Sequence, residues 1–323
     1  MVLDQNAGMH ERQLEKLRRD FGPVFLAALA DPETVEILLN PDGTLWQERL
    51  GERPVQIGSM TRSRAEAVLR TIAACLQTTI TRENPTIECE LPLDGSRFAG
   101  QIPPVVPAPT FAVRKRASRV FTLDQYVEAE ILTPKEKDYL CDAIRDHRNV
   151  LVTGGTGSGK TTMGNALIAE VTQQFAAERL IIIEDTAELQ CSAANYVQYH
   201  TSPERTMTDL VRTAMRMRPD RILVGEVRGP EALDLLMAWN TGHEGGIATL
   251  HANDAQAGLA RLCTLVSMHP NAPREIEPLI GDAVDVLVHI ARKDGPPGRI
   301  VREVLSVEKW DLQRRDYVFC ELI

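Results

Sequence analysis

The chain has 323 residues, with 36 Lys+Arg against 45 Asp+Glu and a formal net charge of −9; hydrophobic residues make up 43% and charged residues 25%. This composition is that of a soluble globular protein, so it excludes a wholly disordered or fibrous chain, and the length suggests roughly two domains. The acidic total argues against a protein that coats nucleic acid, which needs a dense basic footprint. No stretch approaches the ~18 apolar residues of a membrane span, and Val24 to Ala30 is too short. The first twenty residues carry Asp4, Glu11, Glu15 and Asp20 and lack the basic-then-apolar order of a signal peptide. The six cysteines, Cys75, Cys89, Cys141, Cys191, Cys263 and Cys320, never form a C-x-x-C pair. Neither a zinc site nor a disulfide framework is expected, and a reduced, cytoplasmic protein is the simplest reading.

In chain order, Leu14, Leu17 and Phe21 recur at helical spacing over the first 25 residues. Thr34 to Leu39 reads as a strand, Asn40-Pro41-Asp42-Gly43 as a turn, and Thr44 to Leu50 as the return strand of a hairpin. Ala65, Val68, Leu69, Ile72, Ala73, Leu76 and Ile80 trace one face of a helix over 63–80. Short strands are expected around Thr86–Glu90, Arg97–Ile102 and Thr110–Arg114, with an extended, proline-rich run from Pro103 to Pro109. Residues 1–115 thus read as an α+β domain. A linker is placed at 116–122, where Arg114 to Arg119 form a basic stretch. That stretch reads either as a solvated face or as arginines reaching an anionic ligand at the domain junction, and both readings stay open.

From 123 to 323 helices and strands alternate, which implies parallel strands in a covered sheet. Thr133, Pro134 and Glu136 are the N-cap, first residue and capping-box acid of a helix running to about His147. Asn149–Thr153, Leu180–Ile183 and Arg221–Val224 are short apolar strands, and a helix follows residue 160. Val284–Ala291 and Ile300–Trp310, joined by Gly295-Pro296-Pro297-Gly298, suggest an antiparallel edge.

Residues 154–161, Gly-Gly-Thr-Gly-Ser-Gly-Lys-Thr, are a full G-x-x-x-x-G-K-[ST] match between a strand and a helix. The glycines allow backbone N–H groups to turn inward around phosphate oxygens, and the helix N-terminus adds positive potential. Lys160 is suited to neutralising β- and γ-phosphates and Thr161 to ligating Mg²⁺. Glu184-Asp185, with Glu188 beyond, follows one apolar strand, and Glu226 follows another. Strand C-termini converge on the ligand crevice in parallel sheets, where carboxylates can hold Mg²⁺ or polarise water. His243 and His251 lie in Gly-His-Glu-Gly-Gly-Ile-Ala-Thr-Leu-His-Ala-Asn, read as a glycine-flanked turn. Their spacing excludes a zinc site; a structural role and a γ-phosphate sensor both remain open.

Four blocks stand in a fixed order: the phosphate loop, Ile-Glu-Asp-Thr-Ala-Glu, Gly-Glu-Val-Arg, and Gly-His followed by Thr-Leu-His-Ala-Asn. This order resembles the Walker A, Asp box, atypical Walker B and His box of the secretion traffic ATPases, and most of all the conjugal-transfer members of the type IV branch. The four-cysteine zinc module of many type II members is absent from this sequence. The resemblance implies an α/β chain: a RecA-like P-loop ATPase domain with a mostly parallel sheet, preceded by a smaller α+β domain. It implies ATP and Mg²⁺ as ligands and a homohexamer working with inner-membrane components of a secretion or conjugation apparatus. A cytoplasmic protein is expected, peripheral at the cytoplasmic face of the inner membrane, and its acidic balance argues against direct nucleic-acid binding.

By position, Gly155, Thr156, Gly157, Ser158, Gly159, Lys160, Thr161 and Thr162 would bind the nucleotide. Arg97, Arg114 and Arg116 would reach its phosphates from the N-terminal domain. Thr161, Glu184 and Glu226 would hold Mg²⁺. Lys160, Glu184, Glu226 and His251 would act in catalysis, with the division of work between the two glutamates left open. Arg212, Arg216 and Arg228 would contact a neighbouring subunit. The alternatives are a type II secretion or pilus motor, a RecA-like nucleic-acid motor, and a non-catalytic nucleotide-dependent scaffold. The few aromatic residues, 5%, argue against the stacking platforms of a nucleic-acid motor.

Overall fold

A computed structural model describes residues 2–50, 52–115, 120–202 and 204–321. The chain divides into two compact units, Met1–Ser118 and Arg119–Ile323.

The N-terminal unit contains α1 (Val2–Ala30), β1 (Thr34–Leu39), β2 (Thr44–Arg49), β3 (Val55–Ser59), α2 (Arg62–Cys75), β4 (Thr86–Glu90), β5 (Arg97–Gln101) and β6 (Thr110–Arg114). Helix α1 kinks at Gly22, whose φ is +76°, next to Pro23. Proline cannot donate to the carbonyl four residues back. Arg64 supplies the missing donor: its Nη2 donates to the Arg19 carbonyl at 2.7 Å and its Nε to that of Asp20 at 2.5 Å. The Asn40–Gly43 turn closes because Asp42 Oδ1 accepts from Thr44 N at 2.9 Å and Gly43 takes φ +83°.

Among the described residues these strands form one antiparallel sheet in the order β3-β2-β1-β6-β5-β4. Its core gathers Phe21, Phe25, Phe98 and Phe111 with the buried face of α2. That helix is shorter than its apolar periodicity suggests. It stops at Cys75, and Gln77 turns left-handed at φ +55°. Ile80 keeps the pattern going only because it packs on the same core from the following loop. Strand β3, absent from the sequence reading, is an edge strand without clean alternation.

The C-terminal unit runs α3 (Leu123–Glu128), α4 (Pro134–Arg145), β7 (Val150–Gly154), α5 (Lys160–Gln174), β8 (Leu180–Glu184), β9 (Tyr196–His200), α6 (Met207–Ala214), β10 (Arg221–Val224), α7 (Glu231–Trp239), β11 (Ile247–His251), α8 (Ala255–Ser267), α9 (Glu277–Ala283), β12 (Val286–Arg292), β13 (Arg299–Asp311) and β14 (Asp316–Glu321). Thr133 and Glu136 form the expected reciprocal capping box at α4. The sheet order is β14-β13-β12-β7-β11-β10-β8-β9 among the described residues. Every pairing from β12 to β9 is parallel, while β13 and β14 are antiparallel.

The central strands are buried throughout. Along β7, Val150 and Val152 face a core built with α3, α4 and α5, and Leu151 faces one built with α6 to α9. Burial on both faces explains why these strands read as continuous apolar runs. Two sequence expectations are corrected here. Residues 247–251 form β11 in the middle of the sheet rather than part of a turn. Strand β12 pairs parallel with β7 as well as antiparallel with β13, so the edge lies further out, at β14.

Candidate functional site: a phosphate loop and its carboxylates

Strand β7 delivers the phosphate loop to the C-terminal edge of the sheet, and α5 begins at Lys160. Gly157 and Gly159 adopt φ +67° and +103°, values that favour glycine. A side chain at Gly155 would meet nothing within 4 Å, so the loop opens to space there. Lys160 Nζ and the Ser158 backbone N–H both donate to the Gly155 carbonyl, at 3.0 and 3.3 Å. The Ser158 hydroxyl is buried and has no partner among the described residues. An orphaned, buried hydroxyl in a glycine-rich loop at a helix N-terminus is a donor suited to a phosphate. Thr156 is exposed, and Thr161 and Thr162 lie on the first turn of α5.

The loop after β8 is held from three sides. Glu184, the last residue of β8 and only 2% exposed, accepts the Glu188 and Leu189 backbone N–H groups on Oε1, at 3.0 and 2.8 Å. Its Oε2 accepts from Gln198 Nε2 at 2.7 Å. Asn165 on α5 accepts from Gln190 N at 2.8 Å. Burial pushes the Glu184 carboxyl up, opposed by these hydrogen bonds. The result brings the Glu188 carboxylate to the loop: Thr161 Oγ1 donates to Glu188 Oε2 at 3.2 Å. The carboxylate adjacent to Thr161 is therefore Glu188 rather than Glu184. Asn165 and Gln198 lay outside the sequence reading, since neither carries a motif of its own.

Glu226 follows β10 by two residues. It accepts from Arg228 Nε at 2.6 Å, and a second Arg228 nitrogen also contacts it. Arg228 Nη1 lies 3.4 Å from Asp185 Oδ2. Burial opposes the Arg228 charge, but Glu226 and Asp185 outweigh it and raise its pKa. Arg228 thus sits among carboxylates of its own chain. Close packing sets this geometry: a methyl at Gly225 would fall 2.7 Å from Glu184 Cγ, and Glu231 Oε1 accepts the Arg228 and Gly229 N–H groups at 2.7 Å each.

His251, the exposed last residue of β11, pairs in register with Gly154 at the start of the loop. His243 precedes β11 at the opposite end of the sheet, with Nδ1 buried and unpartnered among the described residues. A five-residue strand spans about 16 Å, so the two histidines do not converge, as a shared γ-phosphate sensor would require. Arg212 on α6 is bound by Asp234 Oδ1 at 2.8 Å, and Arg216 is exposed just beyond α6.

In the N-terminal unit, Glu90, Arg97, Arg114, Glu36 and Glu48 stand opposite one another in successive register pairs, so they form one row across the sheet. Arg97 is half-buried and Arg114 exposed. Like charges directly opposite are unfavourable, and the flanking glutamates offset this. Burial raises the Glu36 carboxyl, and Arg114 works against that rise. Arg116 lies outside the described residues, as do Ala117 to Arg119.

No helix among the described residues is long and apolar enough to cross a membrane. The profile of the family "Type II/IV secretion system protein" matches residues 56–308. The conjugal transfer protein TrbB of Rhizobium radiobacter is 46% identical over 299 residues, covering 93% of this chain and 91% of the relative. The type IV secretion system protein PtlH of Bordetella pertussis is 33% identical over 314 residues, covering 86% and 91%. Among solved structures, the Legionella pneumophila ATPase DotB superposes with a TM-score of 0.66 at 22% identity, over 92% of this chain and 83% of that one, a likeness of fold. With a matching profile over most of its length and relatives this similar, the chain belongs to the type II/IV secretion system protein family.

Proposed function

We propose that the chain is an ATPase that powers a type IV secretion or conjugative transfer machine. The observation that carries this reading is the Thr161–Glu188 contact at 3.2 Å, at the head of a phosphate loop. The donors are hydroxyl and carboxylate oxygens, the ligands a hard divalent cation takes. Among the described residues no group of three or more His, Cys, Asp or Glu could hold a metal. Thr161 and Glu188 would hold Mg²⁺ alongside phosphate oxygens and water, the ligands it takes in many nucleotide enzymes. When bound, Mg²⁺ supplies charge neutralisation at the β- and γ-phosphates.

In this reading the amides from Gly155 to Thr162 cradle the phosphates, and Lys160 meets their charge. A phosphate oxygen competes with the Gly155 carbonyl for Lys160 Nζ and the Ser158 N–H. Thr161 and Glu188 hold the cation side, and Glu184 acts as a positioning residue that sets Glu188. Glu226, ion-paired with Arg228, orients the attacking water, and His251 stands beside the loop where the γ-phosphate would lie. Positioning and charge neutralisation supply most of the rate.

Arg97, Arg114 and Arg116 add phosphate contacts from an N-terminal domain at 1–115, joined through a linker at 116–122 to the ATPase domain at 123–323. The working form is a homohexamer, with Arg212 and Arg216 facing the neighbouring subunit. It acts in the cytoplasm, peripheral to the inner membrane, on components of the transfer apparatus. The 46% identity to a conjugal transfer protein favours this branch over a type II or pilus motor.

Mg²⁺-dependent ATP hydrolysis by the purified chain, with particle mass measured alongside, tests the proposal. The expected result is turnover by a six-subunit particle, lost by at least about a hundredfold, roughly 2.7 kcal/mol of barrier, in a folded Lys160→Ala variant. Parent-like turnover in that variant would reject the loop assignment.

A further inference from the structure

The hairpin joining β12 to β13 reaches the phosphate loop. Its last register pair is Arg292 opposite Arg299, and the turn closes through Lys293 N donating to the Gly298 carbonyl at 3.0 Å. Arg292 Nε donates to the Gly157 carbonyl at 3.3 Å. A methyl group added at Gly157 would run into the Arg292 guanidinium, and one at Gly159 would fall 3.1 Å from Arg299 Cδ. Both arginines therefore pack on bare backbone at the two left-handed glycines of the loop.

This placement has an electrostatic consequence. In a trans peptide the carbonyl and the following N–H point in opposite directions. The Gly157 carbonyl faces Arg292, so the N–H of the same peptide group, that of Ser158, points to the inside of the loop. There it donates to the Gly155 carbonyl at 3.3 Å. A cation on the carbonyl polarises the peptide and makes its N–H a stronger donor, as in any chain of coupled hydrogen bonds. Arg292 is exposed, so its bond contributes little to overall stability; its leverage is on the loop.

We infer that Arg292 and Arg299 are positioning residues of the nucleotide site, an arginine brace that sets the phosphate-loop amides for the β-phosphate of a nucleoside di- or triphosphate. This rests on the nucleotide-binding reading above. It ties nucleotide affinity to the exposed Lys293–Gly298 hairpin, because whatever displaces that turn moves both arginines.

Binding of a fluorescent ADP to the full chain, competed with ATP, ADP and AMP, tests the inference. The double variant Arg292→Ala/Arg299→Ala should bind ATP and ADP at least tenfold more weakly. AMP affinity, thermal unfolding and kcat should stay within about twofold or 2 °C of the parent, while KM rises. Arg292→Lys, which keeps charge and donor, should recover more affinity than Arg292→Gln, which keeps a donor alone. Arg314→Ala, at an exposed turn away from the loop, controls for lost positive charge. Parent-like ADP affinity in the double variant, an equal loss for AMP, or equal recovery by Lys and Gln would overturn the brace. A parent chain that binds neither ATP nor ADP would instead overturn the function reading and the brace with it.

Discussion

The N-terminal sheet is antiparallel and alternates buried with partly exposed positions, as in β5 and β6; the central strands of the C-terminal sheet are parallel and buried at every position. The two arrangements carry charge in different places. In the antiparallel sheet, cross-strand register lines up Glu90, Arg97, Arg114 and Glu36 on one face. In the parallel sheet both faces are covered, so polar chemistry collects where the strands end: the phosphate loop after β7, Glu184 closing β8, Glu226 beyond β10 and His251 closing β11. A row on a face can lose one member and stay solvated. Glu184, buried at its strand end, is held by desolvated bonds, so its loss has larger consequences.

The largest effect that sharpens this contrast is expected at Glu184. Replacing it with Ala leaves the Glu188 and Leu189 amides without their acceptor and removes one of the two acceptors of Gln198 Nε2. With a penalty of roughly 1–3 kcal/mol per buried unpaired group, the chain should lose about 2–3 kcal/mol of stability, read by denaturant unfolding. Asp185→Ala, at an exposed neighbour, should cost less than about 0.5 kcal/mol. Equal losses for the two variants would break the distinction between buried strand ends and exposed charge.

Next in size is Glu226→Gln. The amide keeps shape but loses charge, and ATP should still bind while turnover falls at least tenfold, about 1.4 kcal/mol of barrier. Weak binding with normal turnover per bound ATP would move Glu226 out of the catalytic step. The smallest effect on stability is expected at the two arginines near the end of the N-terminal unit. Arg114→Ala with Arg116→Ala should shift stability by less than about 1 kcal/mol. ATP should nevertheless bind roughly tenfold more weakly, since charge-assisted bonds to phosphate are individually stronger. Unchanged ATP affinity would reject phosphate contacts by the two arginines.

Much of the site was legible because its pieces are local. The G-x-x-x-x-G-K-[ST] run, the Thr133–Glu136 capping box and the continuous apolar strands each depend on residues a few positions apart. Backbone sterics and hydrogen-bond reach determine the first two before any tertiary contact forms, and the strands are marked by the apolar runs that burial on both faces demands. What escaped the sequence is long-range. Glycine-rich flanks hid β11, whose strand character comes from pairing on both sides with β7 and β10. Glu188 approaches Thr161 only because Glu184, Asn165 and Gln198, from three different elements, shape the loop between them. His243 and His251 looked like a pair eight residues apart, yet a strand carries them to opposite ends of the sheet. Arg292 and Arg299 carry no motif, and their place at the phosphate loop follows from β12 lying beside β7. The sequence by itself determined which residues could meet a phosphate, through local spacing and chemistry. The tertiary structure decided which carboxylate and which arginines stand beside the loop, because the fold brings Glu188 to Thr161 across 27 positions and Arg292 to Gly157 across 135.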